Sequence, residues 1–183
     1  MKVIQGKHKG TILKGFDIDG TRPTMDRVKE SLFAMIQNRI NDSIVLDLFA
    51  GSGNLGIEAL SMGAKECFFV DKNGIACKTI KTNLEKVRED GKIINSDYKA
   101  ALNSFNNKFD IIFLDPPYNT DYINKSLELI STNNLLNNDG IIICETDNYD
   151  KLSFSNNYIE FKNRHYGEKI VVILKKKWYN LLR

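Results

Sequence analysis

The tetrapeptide Asp115-Pro116-Pro117-Tyr118 closes a strongly apolar run, Phe109-Asp110-Ile111-Ile112-Phe113-Leu114. Two successive prolines remove backbone donors and stiffen the chain. They hold the Asp115 side chain and the Pro116 carbonyl as rigid acceptors, and Tyr118 adds a flat face. An aryl amine is a poor nucleophile, because its lone pair is delocalised into the ring. Two acceptors can grip its N–H groups, orient the nitrogen lone pair and stabilise the positive charge developing on it. Stacking of a base on Tyr118 is worth about 1–3 kcal/mol. In-line placement beside an activated methyl can supply ~7–11 kcal/mol of barrier reduction. Alone, the tetrapeptide reads equally well as a stiff strand-exit turn.

The setting tips that balance. Gly51-Ser52-Gly53-Asn54-Leu55-Gly56 fits G-x-G-x-x-G, follows an apolar run and opens a helical pattern. Asp71 ends the next apolar run, where a carboxylate can hold ribose hydroxyls. Taken alone, this fingerprint suits NAD or FAD as well as any other nucleoside. Asp47 lies inside the preceding run, Val45-Leu46-Asp47-Leu48-Phe49-Ala50-Gly51. A carboxylate there would repel a pyrophosphate. It suits the cationic amino-acid end of S-adenosyl-L-methionine. With such a cofactor carrying the reactivity, neither a metal nor a covalent nucleophile is needed. A base inside a duplex could not reach the crevice, so the target is expected to be flipped out or unpaired.

These residues need a scaffold that brings strand ends together, and the remaining pattern predicts one. Val28, Leu32, Met35 and Ile36 form one stripe of a helix for which Thr24 is the expected N-cap. From Ser43 onward strands and helices alternate. The strands are expected at Ile44–Phe49, Cys67–Val70, Lys92–Ile94, Phe109–Leu114 and Ile141–Cys144. The helices are expected through Leu55–Met62, along Ile75, Ile80, Leu84 and Val87, around Ala100–Phe105, and near Ile123–Ile130. Such alternation predicts a mostly parallel sheet covered on both faces. Tyr158–Phe161 and Ile170–Leu174 are too close for a crossover helix and should form an antiparallel hairpin. At the other end, Val3-Ile4 and Thr11-Ile12-Leu13 are expected to pair across a Lys7–Gly10 turn. The Asn-Asn pairs beginning at 106, 133, 137 and 156 are expected in turns.

Composition sets the outer bounds. The chain has 183 residues, 42% of them apolar, enough for one α/β domain. The net charge is only +3, but its distribution is uneven. No acidic residue precedes Asp17, whereas Lys2, Lys7, Lys9 and Lys14 do; Lys175, Lys176, Lys177 and Arg183 crowd the other end. Clustered cations favour a polyanionic partner, or else a merely solvated surface. Cys67, Cys77 and Cys144 are isolated, and Cys67 and Cys144 are expected in the core, so neither disulfides nor zinc are implied. His8 and His165 have no metal-spaced partner and are expected at the surface. No signal peptide and no membrane-spanning run are visible. A cytoplasmic, monomeric, metal-free protein is expected.

With these residues identified, the sequence resembles the RsmD family of bacterial 16S rRNA guanine-N2 methyltransferases, class I enzymes of Rossmann-like fold. The likeness rests on Ile4–Gly10 with Leu13-Lys14, on Thr21-Arg22-Pro23-Thr24 through Phe33, on Leu46–Leu60, and on Asp115–Tyr118. It implies a seven-stranded sheet whose last strand is antiparallel, preceded by a basic hairpin (residues 1–20) on a methyltransferase domain (residues 21–183). It implies cofactor contacts at Asp47, Gly51, Gly53, Asp71 and Asp97, with Ala50 in the same loop and Asp115 facing the donor. Asp97 would bond the adenine amino group, and Lys72 would lie beside the adenine ring. Asn54 and Asp71 depart from the family's usual Ala or Ser and Glu.

Lys7, Lys9, Lys14, Arg22 and Arg27 are the candidate contacts to 16S rRNA or a small-subunit assembly. Arg22 could equally pair with a carboxylate such as Glu30. Tyr166-Gly167 reads as a turn, and Trp178-Tyr179 as a docked tail or a stacking platform. An acceptor pair would hold adenine N6 or cytosine N4 as well as guanine N2, in RNA or DNA. A DNA enzyme would normally carry a separate target-recognition domain. An NAD-dependent oxidoreductase would need a placed hydride-transfer acid. A non-catalytic RNA-binding module is disfavoured by the intact Asp115 and Tyr118.

Overall fold

The structure is a computed structural model that describes residues 1–15, 23–154 and 156–177; within the first helix, side chains are described from Asp26 onward. The chain runs α1 (Pro23–Ile36), β1 (Ile44–Asp47), α2 (Asn54–Ser61), β2 (Glu66–Asp71), α3 (Gly74–Val87), β3 (Lys92–Asn95) and α4 (Tyr98–Ser104). It continues with β4 (Phe109–Leu114), α5 (Tyr122–Thr132), β5 (Leu136–Thr146), β6 (Tyr158–Tyr166) and β7 (Lys169–Lys176). Short 3-10 turns at Gln37–Arg39 and Tyr149–Lys151 supplement these.

The period-two side-chain alternation of the central strands explains the three layers. Val45, Ile111 and Phe113 pack on one face with α1, α2 and α3. Leu46, Ile112 and Leu114 pack on the other with α4 and α5. Both faces are covered, so the strands are apolar throughout. The sheet order is β3-β2-β1-β4-β5-β7-β6. Strands β1 to β5 are parallel, and β7 is antiparallel to both its neighbours. This is the Rossmann-like arrangement, with the expected reversed last strand inserted between β5 and β6. Chain direction across the sheet changes between β1 and β4. Their carboxyl ends therefore open a crevice at the switch point.

Two local expectations are corrected. Ile75 follows the helical stripe of α3 but is 67% exposed. It sits in the first turn, where Asn73 caps the helix by accepting the Ile75 N–H at 2.9 Å. Asn137-Asn138 lies inside β5 rather than in a turn. Asn137 is held there by donating to Asp110 Oδ1 at 2.7 Å, beside a register shift between Phe109 and Ile111.

The N-terminal residues pair through Lys2 and Ile12, with Val3 and Leu13 buried in the core. Gly6 adopts a φ of +77°, and a Cβ there would meet the Ser61 carbonyl oxygen at 1.9 Å. That close approach lets Lys7 N–H donate to Ser61 O at 2.8 Å. Beneath the hairpin, Glu58 accepts from Ile4 N and Gln5 N, and it pairs with Lys29 of α1 at 2.7 Å. Lys29 also donates to Lys2 O (2.6 Å) and Asn54 Oδ1 (2.7 Å). Lys29 and Glu58 are 3% and 0% exposed, so this is a fully buried ion pair. Burial draws the Lys29 pKa down against the opposing pull of Glu58.

Candidate active site

The crevice is built from strand ends. β1 leads into the Gly51–Gly53 turn, in which Gly51 and Gly53 have φ of +53° and +79°. A Cβ on Gly51 would meet nothing within 4 Å, so the loop leaves open space where a ligand can approach the backbone. Gly53 lies at the base of the turn. Its N–H donates to Ala50 O at 2.7 Å, and a Cβ there would press on Ile80. Asp71 ends β2 and braces the loop: Oδ2 accepts from Gly51 N at 2.9 Å and Oδ1 from Asn73 N at 2.8 Å. Asp97 follows β3 and caps α4 by accepting Lys99 N–H at 2.9 Å.

Gly51, Asp71, Asp97 and the Asp115–Tyr118 turn line one cleft of about 360 Å³, together with Lys72. One wall is aromatic. Phe49 stacks on Tyr122 at 6.0 Å with an interplanar angle of 5°, and Tyr98 packs against both rings. The Tyr98 hydroxyl is buried without a hydrogen-bond partner among the described residues. An adjoining hollow of about 340 Å³ is lined by Asp47, Ala50, Gly51 and Asp115. Asp47 is 2% exposed and accepts the Gly56 N–H at 3.0 Å. Burial raises its pKa to about 7, with Asp71 adding repulsion against the stabilising Gly56 bond.

Asp115 feels the same forces. Burial first, then the negative charges of Glu145 and Asp47, push its carboxyl up to about 8 against the pull of Lys169. Tyr118, 40% exposed, donates its hydroxyl to Glu145 Oε1 at 3.0 Å. Its pKa is raised to about 12, by burial and by Glu145. Lys169 at the start of β7 bonds the same carboxylate, and its ammonium stands 5.8 Å from the Tyr118 ring centroid. A carboxylate, a double-proline turn and an aromatic side chain thus line a cleft of nucleoside size. That combination can bind an aryl amine and take up positive charge.

The comparisons with known proteins agree with this geometry. The family described as "Conserved hypothetical protein 95" matches residues 1–175. YlbH of Bacillus subtilis is 39% identical over 97% of this chain and 100% of its own. Ribosomal RNA small subunit methyltransferase D of Haemophilus influenzae is 34% identical, covering 91% of this chain and 89% of that one. The solved structure of Escherichia coli yhhF superposes with a TM-score of 0.88 at 26% identity, over 97% of this chain and 98% of that one.

The chain belongs to the RsmD family of methyltransferases.

In this RsmD-family methyltransferase the candidate site residues fall into two groups. The crevice holds Asp47, Ala50, Gly51, Asp71, Lys72, Asp97, Asp115, Pro116 and Tyr118. The cationic candidates lie elsewhere. Lys9 of the hairpin and Arg27 of α1 line a groove of about 680 Å³ that Asp26 and Glu30 also share. Lys7 pairs with Glu89 at 2.6 Å, and Lys14 is exposed. His8, expected at the surface, is partly buried and bonded to Glu89 at 2.5 Å, because the hairpin lies down on the end of α3. Arg22 and the Trp178-Tyr179 tail lie outside the described residues. No described group of His, Cys, Asp or Glu could hold a metal ion, and no described helix is long and apolar enough to cross a membrane.

Sequence reasoning missed two residues of the methyltransferase's crevice. Glu145 lies one residue before the end of β5, much as Asp71 ends β2, so a search of strand ends could have found it. Lys169 begins a reversed strand, and nothing in its local sequence indicates the crevice.

Proposed function

We propose that this methyltransferase moves the methyl group of S-adenosyl-L-methionine to the exocyclic N2 of a guanine in 16S rRNA, either free or in a small-subunit assembly. The observation that carries the reading is that Asp71, behind the glycine turn, and Asp115, on its double-proline turn, line one cleft. Relatives named ribosomal RNA small subunit methyltransferase D support the substrate. The chain would then act in the cytoplasm, as a monomer, with its hairpin (residues 1–20) contacting RNA beside a transfer domain (residues 21–183).

The residues present fit the donor. Asp71 has the position to accept ribose hydroxyls and Asp97 to accept the adenine amine, with Lys72 and the Phe49–Tyr98–Tyr122 wall flanking the ring. Gly51 offers open backbone, Gly53 shapes the turn, and Ala50 and Asp47 border the hollow suited to an aminoacyl end. When bound, the donor supplies an electrophilic methyl on a sulfonium. Asp115 and the Pro116 carbonyl grip the two amine hydrogens, which turns the nitrogen lone pair toward the donor side. Tyr118, fixed by Glu145, offers its face to the base. The amine becomes cationic as it is methylated. Asp115, with its raised proton affinity, is suited to take the proton the product sheds. Lys9, Lys14, Arg22 and Arg27 are assigned to phosphates, with Lys7 weaker because of its Glu89 partner.

Mass mapping of rRNA from cells lacking the protein tests this. One small-subunit guanine should lose a methyl group. Supplying Asp115→Ala should leave it missing although the variant binds donor. Full restoration by that variant would sink the assignment.

A further inference from the structure

Gripping an amine does not select a base. Adenine N6, cytosine N4 and guanine N2 each present two N–H donors, and the neighbouring edge atoms tell them apart. Beside its amine, guanine has a donor, N1–H, and then an acceptor, O6. Adenine and cytosine have an acceptor in the position next to the amine. A guanine site must therefore continue from the amine-binding acceptors with an acceptor and then a donor.

We propose that Glu145 and Lys169 read the rest of the guanine edge, Glu145 accepting from N1–H and Lys169 donating to O6, while Asp115 and the Pro116 carbonyl hold N2. This rests on the proposed function and adds the specificity that Asp115 alone lacks.

Three observations carry it. Asp115, Glu145 and Lys169 line the same hollow of about 340 Å³ that Asp47 and Ala50 border, so a base edge held there would meet the methyl-bearing end of the donor. They arrive there from three neighbouring strands: Asp115 follows β4, Glu145 lies near the end of β5, and Lys169 opens β7, whose antiparallel register sets Thr146 against Ile170. Second, the pair has unused capacity. Glu145 Oε1 receives both the Tyr118 hydroxyl and Lys169, while Oε2 accepts from nothing among the described residues. Lys169 bonds Glu145 and also the Tyr118 hydroxyl, which leaves one of its three N–H groups for a ligand. Third, both charges are partly withdrawn from water, with side chains 14% and 26% exposed. A pair that only tied β5 to β7 would need neither a spare oxygen nor a position on the hollow. The bond from Tyr118 to Glu145 also ties the ring that sets the base plane to the group that reads its edge.

The test uses the full chain and small-subunit RNA. After mass mapping locates the modified residue, RNA is ligated with guanine, 2-aminopurine or 2,6-diaminopurine at that position. The two analogues keep the 2-amine but have a bare N1 and lack O6. Wild type should favour guanine over 2-aminopurine by about 100-fold in kcat/KM, since each good pair of base contacts discriminates by roughly tenfold or more. Glu145→Gln, whose amide can donate to a bare N1, should narrow that ratio about tenfold or more. Lys169→Met should narrow it about tenfold, and Lys169→Arg should keep most of it. Ratios unchanged in Glu145→Gln and Lys169→Met would overturn the proposal. So would a wild-type ratio near one, which needs no variant to fold. Lys169→Met that weakens donor binding by calorimetry, with the base ratio unmoved, would place the lysine on the donor's carboxylate instead. Wild type that methylates no guanine in this RNA removes the proposed function itself; an active wild type with unmoved ratios removes only the edge reading.

Discussion

Asp115 must be ionised to face the developing cation with a negative charge and to take its proton, yet burial and Glu145 hold its carboxyl at about 8. The charged form is therefore the minority at neutral pH and grows as pH rises. Donor-independent kcat/KM for RNA should climb through about pH 8 and then flatten. Asp115→Asn, which cannot titrate, should abolish that limb and lower kcat by about 10²–10³, the cost of losing one aimed charge at the reacting atom. Donor affinity should survive, and calorimetry checks it. Asp47 makes the opposite trade. Its folded pKa of about 7 lies above the usual carboxylate value. By linkage its ionisation weakens the fold progressively as pH rises from the unfolded value to the folded one. Asp47→Asn can keep the Gly56 bond while removing the buried charge. It should raise stability at pH 8 by about 1–3 kcal/mol, with little gain at pH 4, while weakening donor binding; urea titrations at the two pH values read the difference. Both carboxylates were legible in the sequence because each sits beside a glycine or proline turn after an apolar run. Their raised proton affinity was not legible, since it depends on neighbours distant along the chain.

Among elements, the hairpin and the glycine loop are joined through Lys29. Its ammonium holds Lys2 O, Asn54 Oδ1 and Glu58 together, and Asn54 opens α2 immediately after the glycine turn. Removing one partner of a buried pair strands the other. Lys29→Met should cost about 3–5 kcal/mol in urea unfolding. Adding Glu58→Gln should recover part of that loss rather than add to it, because the stranded charge disappears. Gly56 has a different constraint. A Cβ there would lie 2.3 Å from Phe69 and 2.7 Å from Cys67, so Gly56→Ala should destabilise by about 1–3 kcal/mol through overpacking of α2 against β2; a thermal melt detects it. The periodic pattern identified α2 and placed β4 to the residue. It could not show that Lys29 turns inward, because a lysine next to the stripe reads as solvent-facing until its three partners, from two other segments, are folded around it. Asn137 escaped for a similar reason: its strand conformation depends on Asp110 across the sheet.

For the whole molecule, charge placement matters more than the total of +3. Lys9 and Lys14 project from the hairpin, whereas Lys7 is neutralised by Glu89. Replacing Lys9 and Lys14 with Gln should weaken RNA binding and flatten its dependence on log salt by about 1–2. Lys7→Gln should change that slope by less, and filter binding across a salt series separates the cases. The layered architecture was legible because alternation of strands and helices leaves few topologies. The family likeness implied a reversed last strand, but the insertion of β7 between β5 and β6, and with it the place of Lys169, is visible only in the fold. That reversal has a consequence during synthesis. The ribosome delivers the chain from its amino end, so the turns after β1, β2 and β4 exist well before residue 169 emerges. A nascent chain would carry an unfinished catalytic mouth, with Glu145 lacking its counterion, until the closing hairpin folds back.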